Sequence, residues 1–210
     1  MALSLCSKTK DAKKMSIKHI VSLMAGHPFR GSIENTPDGE VAVVQMKDVD
    51  PEGGLNVTNL YRVHLTGRKK PDYLKCGDIL FIGRGYRIFA VLVDQDLEST
   101  VAGSHFFILR IKPNGQLVRP DYLTWYINHK LAQRYFSQHI AGTALPHVNR
   151  TVLENLPVVV PPIDVQEGIV KTHRCRLKEK ALLEQLIEKK KQFLDQLLDQ
   201  TLEQYQEDDA

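Results

Sequence analysis

Apolar residues recur at steps of three and four positions over the last quarter of the chain, which is the spacing of one face of an α-helix. No Gly or Pro follows Gly168. Pro161 and Pro162 disfavour a helical residue before them and Asp164 can cap a first turn, so we expect the helix to begin near residue 164. At a rise of about 1.5 Å per residue it would be roughly 65 Å long, and most of it is expected to project from the body. The apolar positions are Leu177, Leu182, Leu183, Leu186, Ile187, Phe193, Leu194, Leu197, Leu198, Leu202 and Tyr205.

Charge is distributed unevenly along this helix, with bases in its first half and acids in its last turns. An antiparallel pair of such helices would bring Arg176 to Asp199 and Lys180 to Asp195, whereas a parallel pair would bring like charges together. Because a projecting apolar stripe needs a partner, we predict an antiparallel homodimer. The predicted interface contains Val170 opposite Tyr205, Leu177 opposite Leu198, Ala181 opposite Leu194, and also Leu183 and Ile187. The alternatives are a helix folded back on its own domain and a merely solvated charged face.

Shorter patterns predict a mixed domain before this helix. Residues 16–26 are expected to form a short helix with Ile17, Ile20, Val21 and Met24 on one face. A Gly-rich loop at 83–87 between two apolar runs predicts a β-hairpin. Further strands are predicted at 40–49, 60–67 and 105–112, a helix at 121–140, and a short helix followed by a last strand within residues 151–162. The predicted fold class is α/β (α+β), a mixed, largely antiparallel, curled sheet with helices, followed by a long C-terminal coiled-coil helix.

Three segments follow from these elements. Residues 1–15 are polar and rich in Lys and are expected to be a flexible leader, residues 16–160 the globular binding domain, and residues 161–210 the dimerisation helix. No apolar run approaches membrane-spanning length and no signal-peptide core is present, so we expect a cytoplasmic protein without a membrane partner. The three Cys residues are far apart in sequence and indicate neither a disulfide framework nor a zinc site.

The basic charge of the chain lies in the predicted domain. Before Asp164 there are 20 Lys and Arg against 14 Asp and Glu, and from Asp164 onward 8 against 11. The domain therefore carries +6 and the helix −3, which favours an anionic partner for the domain. Bases and hydrogen-bonding groups concentrate in loops at 27–32, 83–87 and 141–150 and in the turn of Arg68, Lys69 and Lys70. Arg84 and Arg87 are the first candidates for contacts with DNA bases or phosphates, the alternative being a hairpin turn with solvated arginines.

Signatures of catalysis are missing. The chain has no GxxxxGK[ST] phosphate loop, no GxGxxG at a strand-to-helix junction, and no Asn-Pro-Pro type of methyltransferase tetrapeptide. The only nuclease-like spacing is Glu188-Lys189-Lys190, which lies on the predicted exposed helix without a sheet beneath it. We therefore predict a non-catalytic protein that needs no cofactor or metal.

Several segments taken together resemble a known family. They are GDILFIGRG, SHFFILRIKP, DYLTWYINH, the loop from Gly142 to Asn149, the junction LENLPVVVPPIDVQEGIV, and IVSLMAGHPFRG followed by EVAVVQMKDVD. In this order they resemble the target-recognition domain and adjoining spacer helix of the DNA specificity subunit of type I restriction-modification systems. The resemblance covers nearly the whole chain from about Ser16.

The resemblance implies a non-catalytic reader of double-stranded DNA. The family's subunit has two recognition domains and two antiparallel spacer helices; methyltransferase subunits dock on it and nuclease subunits can join. With one domain and one helix, this chain would rebuild that arrangement as a homodimer reading an interrupted palindrome. The alternatives are a shortened specificity-subunit fragment and a coiled-coil assembly adaptor with a protein-binding domain. The expected DNA-contacting residues are Arg30, Ser32, Arg68, Lys69, Lys70, Arg84, Tyr86, Arg87 and Arg150, with Asn149 either a base reader or a turn or capping residue.

Overall fold

The computed structural model describes residues 12–65, 71–85, 87–113, 117–140 and 147–207, with side chains up to Leu202 in the last range. It divides into two compact units, Met1–Val170 and Lys171–Ala210. The strands are β1 (Lys13–Ser16), β2 (Val21–Ala25), β3 (Val41–Val44), β4 (Val49–Asp50), β5 (Gly54–Leu55), β6 (Tyr61–Val63), β7 (Ile79–Ile82), β8 (Phe89–Leu92), β9 (Thr100–Ala102), β10 (Phe106–Ile111) and β11 (Pro157–Val160). The α-helices are α1 (Pro120–Asn128), α2 (Lys130–His139), α3 (Arg150–Glu154) and α4 (Ile163–Glu207), and short 3₁₀ helices lie at Ile17–His19 and Met46–Asp48.

A four-stranded antiparallel sheet in the order β2-β10-β7-β8 forms the centre of the first unit. Successive side chains of a strand point to opposite faces. Ile79 and Phe81 therefore pack with the helices, while Leu80 and Ile82 pack on the other face. All four are fully buried, which explains why this strand is a continuous apolar run rather than an alternating one. The predicted hairpin of β7 and β8 and the mixed, largely antiparallel fold class are confirmed.

Helix α1 covers the sheet and ties β11 to it. The Tyr122 hydroxyl donates to the carbonyl of Val159 at 2.7 Å, and the Tyr126 hydroxyl donates to that of Pro157 at 3.0 Å. Burial raises the pKa of both tyrosines, so each hydroxyl keeps its proton and remains a donor at neutral pH.

Side chains cover both edges of the central sheet. Asn128, the last residue of α1, accepts a hydrogen bond from the Ala90 N–H and donates one to the Ala90 carbonyl, both at 2.8 Å. Its side-chain amide thus makes the two hydrogen bonds that a further strand beside β8 would make with Ala90. Arg150 donates to the Leu23 carbonyl at 3.2 Å beside β2. These side chains thus satisfy one residue's backbone groups on β8 and one carbonyl on β2.

A second sheet, β6-β3-β9, meets the central one where β2 and β9 finish. The N–H of Gly103 donates to Val44 at 2.9 Å, and the N–H of His27 donates to Ala102 at 2.7 Å. The backbones are so close that a Cβ on Gly26 would lie 1.9 Å from the Gly103 oxygen. The ends of β2, β3 and β9 therefore meet.

A buried ion pair fixes the segment that leads into β7. Arg110 donates to both carboxylate oxygens of Asp78, at 2.7 and 2.6 Å, and to the carbonyl of Tyr73 at 3.0 Å. Asp78 is 1% exposed, and its hydrogen bonds raise the pKa of Arg110. This arginine therefore has a structural partner and is not available to a ligand.

Gln166 fastens the first turn of α4 to the first unit. Its side chain is fully buried, accepts from the N–H of Arg119 at 2.9 Å, and donates to the carbonyls of Leu117 at 2.7 Å and Pro161 at 2.8 Å. Val170, one turn later, is 5% exposed and belongs to the helical core. The side chain of Val170 is thus already packed in the domain, and the helix belongs to the domain for two turns beyond residue 162. Pairing of Val170 with Tyr205 in a dimer stays a prediction.

Three sequence predictions of local structure differ from the fold. Residues 16–26 are a 3₁₀ turn followed by β2, because pairing with β10 overrides the local helical spacing. The helix expected at 121–140 is broken at His129, whose backbone is extended. The predicted leader of residues 1–15 overlaps β1, since Lys13–Ser16 pair with β11; residues 1–11 lie outside the described residues.

Gln166→Ala is expected to lower the free energy of unfolding by about 3 kcal/mol, because it removes a buried amide and leaves one N–H and two carbonyls without that partner. Denaturant unfolding followed by Trp125 fluorescence measures this. Gln192→Ala is the matched control in the same helix, since Gln192 is exposed and bonds only Glu188 among the described hydrogen bonds; it should change stability by less than about 0.5 kcal/mol. Equal effects of the two substitutions would contradict the proposed role of Gln166.

Candidate nucleic-acid interface

Several loops leave the sheets at the same end. Strands β2 and β7 finish there and β8 and β10 start there, since Ile82 lies opposite both Phe89 and Phe106, and Ala25 lies opposite Phe107. The loops at 26–32, 83–88 and 103–105 consequently emerge together. We call this region the loop end of the domain. Two of the three basic loops predicted from the sequence, 27–32 and 83–87, begin here.

The third predicted loop reaches the same end through its last residues. Arg84 and His147 form an antiparallel bridge, and the N–H of Val148 donates to Gly83 at 2.8 Å. A Cβ on Gly83 would lie only 2.8 Å from the Val148 oxygen, so the contact requires glycine. Val148 is fully buried and anchors the junction. Residues 141–146 of this loop lie outside the described residues.

The loop end carries exposed arginines, and several of its short loop sequences contain no acid. Arg84 and Arg87 are exposed on either side of Gly85, whose φ of +107° is a conformation that glycine adopts readily. Arg30 and Ser32 are exposed on the first loop, which Phe29 anchors on the apolar side of the second sheet. The sequences 26–32, 45–47, 83–88, 103–105 and 147–149 contain no Asp or Glu. The predicted site residues Tyr86, Arg68, Lys69 and Lys70 lie outside the described residues.

Acidic residues concentrate at the opposite end of the sheets. Exposed carboxylates there precede β3 or lie between β8 and β9: Asp38, Glu40, Asp94, Asp96 and Glu98. Glu40 accepts a hydrogen bond from His64 and thereby raises the pKa of that histidine. These five exposed carboxylates thus lie at the end of the sheets opposite the exposed arginines.

Asn149 and Arg150 have structural contacts. The Asn149 side chain caps α3 by accepting the N–H of Val152 at 2.9 Å, which is the capping role that the sequence left open. Arg150 donates to Glu154 at 2.7 Å as well as to Leu23. DNA contacts by either residue stay predictions.

Sequence analysis missed polar groups that the fold adds to the loop end. Ser104 and His105 are exposed in the short turn between β9 and β10, and His147 is half-buried beside Arg84. The available signal was Gly103 followed by a polar pair before an apolar run, which is typical of a turn between strands. The sequence pattern predicts a strand that includes His105, whereas the strand begins at Phe106.

The second unit presents a large apolar surface. Its exposed residues include five of the predicted interface positions, Ala181, Leu183, Ile187, Leu194 and Leu198, whereas Leu177 is half-buried. Leu182, Leu186, Phe193, Leu197 and Leu202 are exposed as well. The side chain of Tyr205 lies outside the described residues. Pairing through these residues stays a prediction.

Within the residues that the structure describes, no three His, Cys, Asp or Glu side chains gather into a possible metal site. In the same residues, no helix combines the length and apolar character needed to cross a membrane.

A family comparison gives the class of protein. The model of the type I restriction modification DNA specificity domain matches residues 9–189. This match covers most of the chain, which therefore belongs to that family, and the resemblance seen in the sequence is confirmed. A search of curated proteins finds no match.

Solved structures agree with the fold. The HsdS subunit from Thermoanaerobacter tengcongensis is similar over 89% of this chain and 47% of its own, with 14% identity and a TM-score of 0.62. The type I restriction-modification S subunit from M. genitalium is similar over 77% of this chain and 38% of its own, with 17% identity and a TM-score of 0.50. A chain from a structure on complex assembly and conformational transition of the type I R-M system is similar over 83% of this chain and 44% of its own. Its sequence identity is 15% and its TM-score is 0.63. The chain thus spans less than half the length of each.

Asn149→Ala is expected to cost about 1 kcal/mol of stability, because α3 loses its N-cap, whereas Asn149→Ser keeps a capping oxygen and should cost less. Denaturant unfolding measures the difference. If Asn149 also reads a base, the Ser variant will lose DNA affinity while its stability is retained; equal stability of the Ala variant and the native chain would contradict the capping role.

Proposed function

We propose that this chain is a sequence-specific DNA-recognition subunit of a type I restriction-modification complex, acting as an antiparallel homodimer on a bipartite, palindromic site. It has no catalytic role and positions methyltransferase subunits and, where present, nuclease subunits. The observation that carries the proposal is the loop end, where Arg30, Arg84 and Arg87 are exposed and no carboxylate is found in the loop sequences.

The dimensions of the loop end suit a DNA groove. Strands β2 and β7 are separated only by β10, so their exits are two strand spacings or about 10 Å apart. A major groove is about 12 Å wide. Arginines on the two loops can therefore contact base edges in the groove or phosphates beside it, while the sheet keeps the loops in place.

Charge and apolar surface in the second unit support the homodimer. In the predicted antiparallel register, Leu177 would meet Leu198 and Ala181 would meet Leu194. Arg176 and Lys180 would then face Asp199 and Asp195. A second copy supplies a second reading domain related by a two-fold axis, hence inverted half-sites about one helical turn apart.

Family membership supports the remaining partners. The chemistry belongs to the methyltransferase partner, which must take an adenine out of the base stack, and this chain supplies position and sequence choice.

Replacing Arg84 and Arg87 together by Ala should reduce the slope of log affinity against log salt by about two, since each phosphate contact contributes about 0.9. A fluorescent duplex of mixed sequence titrated over a salt series measures this. The matched control is Lys130→Ala with Arg134→Ala, two exposed bases on α2. Unchanged binding by the Arg84 and Arg87 variant would overturn the loop end as the DNA surface; a native chain without DNA affinity would favour the adaptor alternative.

Arg176→Glu is expected to weaken the dimer about tenfold, because two ion pairs per dimer become repulsive contacts of about 0.5 kcal/mol or more each. Adding Asp199→Arg should restore the dimer, as the charges are then exchanged. Sedimentation at several concentrations measures the dissociation constant. Lys178→Glu is the control, an equal charge change on another face of the helix, and the same weakening by it would contradict the antiparallel register.

A further inference from the structure

We infer that Lys47, held over the ring of Tyr61, binds a DNA phosphate and makes the second sheet part of the recognition surface. The inference rests on the proposed function and adds a contact that the sequence analysis did not assign, in a sheet that it did not connect with DNA.

The pair lies at the loop end. Val44 is the last residue of β3, lies opposite Ala102, and receives the N–H of Gly103 at 2.9 Å. The chain after Val44 therefore leaves beside the turn that carries Ser104 and His105. Tyr61 starts β6 opposite Val43, so its ring belongs to the same end.

The geometry fixes a positive charge without using its donors. The Lys47 ammonium nitrogen is 3.1 Å from the centre of the Tyr61 ring, a cation–π contact. A ring face attracts the charge but does not take up its three N–H donors as carboxylates do. Lys47 is exposed and no ion pair is described for it, so these donors remain available to phosphate oxygens.

The backbone beneath Lys47 is well anchored. Met46–Asp48 form a 3₁₀ turn in which the Asp48 carboxylate accepts the N–H of Gln45 at 2.8 Å. Asp48 is 9% exposed, so the neighbouring acid is turned inward, and its carbonyl accepts the N–H of Asn56 at 2.8 Å. A charge on a fixed turn binds phosphate with little loss of freedom, which favours a role in setting the register of the domain on the duplex.

The test uses the full chain and a fluorescent duplex of mixed sequence over a salt series, because phosphate contacts do not depend on the target bases. Lys47→Ala should lower the slope of log affinity against log salt by about one and weaken binding several-fold at low salt. Tyr61→Leu keeps the charge but removes its support, and should weaken binding by a smaller factor. The matched controls are Lys130→Ala, an exposed base on α2, and Tyr73→Leu, a partly exposed tyrosine away from the loop end.

The outcomes separate the two proposals. Loss of one unit of slope with Lys47→Ala, and not with Lys130→Ala, supports the inference. If the Arg84 and Arg87 variant loses affinity while Lys47→Ala behaves like its control, the inference fails and the proposed function stands. If the native chain has no salt-dependent affinity for the duplex, both fail. Thermal unfolding of Lys47→Ala, an exposed substitution, verifies that folding is intact, so the result does not depend on the Tyr61 variant.

Discussion

Close backbone contact at two glycines holds the loop end together. A side chain on Gly26 would collide with Gly103, and one on Gly83 would collide with Val148. The first contact joins β2 to the turn between β9 and β10, and the second joins the loop after β7 to the segment before α3. Because backbone hydrogen bonds and buried side chains such as Val148 make these junctions, the exits of the loops depend little on the exposed side chains that the loops carry. A frame of this kind suits a reader, since its recognition residues can vary without moving the sheets.

Arginines in this fold have two distinct roles, which net charge does not separate. Arg110 is bound to a buried carboxylate, and Arg119 is paired with Asp121 at 3.0 Å and Glu167 at 2.8 Å. Their charges are largely neutralised where they lie and contribute little to a distant field. Arg84 and Arg87 lie on loops without acids, so their charge remains available to a partner. For attraction of an anionic partner, the net excess of bases over acids in the domain therefore matters less than the positions of the bases that have no acidic partner.

The long helix changes its environment along its length. Its first turns are part of the domain, because the Gln166 side chain makes three hydrogen bonds to the backbone of the domain and Val170 lies in the core. After Lys171 the apolar side chains of the helix are mostly exposed; Leu186 and Ile187, for example, are 62% and 69% accessible. Leucines at such exposure are unfavourable in water, and helix pairing would bury them. The buried hydrogen bonds of Gln166 fix the first turns of the helix to the domain. The exposed apolar side chains after Lys171 are consistent with binding of the rest of the helix to a partner.

Local periodicity determined the long helix, the β7–β8 hairpin and the loops that carry bases, since each depends on neighbours within a few residues. It misassigned residues 16–26, because their helical spacing is overruled by hydrogen bonds to β10, some eighty-five residues away in the chain. Which bases are free was decided only by tertiary structure: Arg150 reaches Leu23, and Lys47 lies over Tyr61. Contacts between residues so far apart leave no periodic trace in the sequence, so the assembly of the loops into one surface is a property of the folded chain.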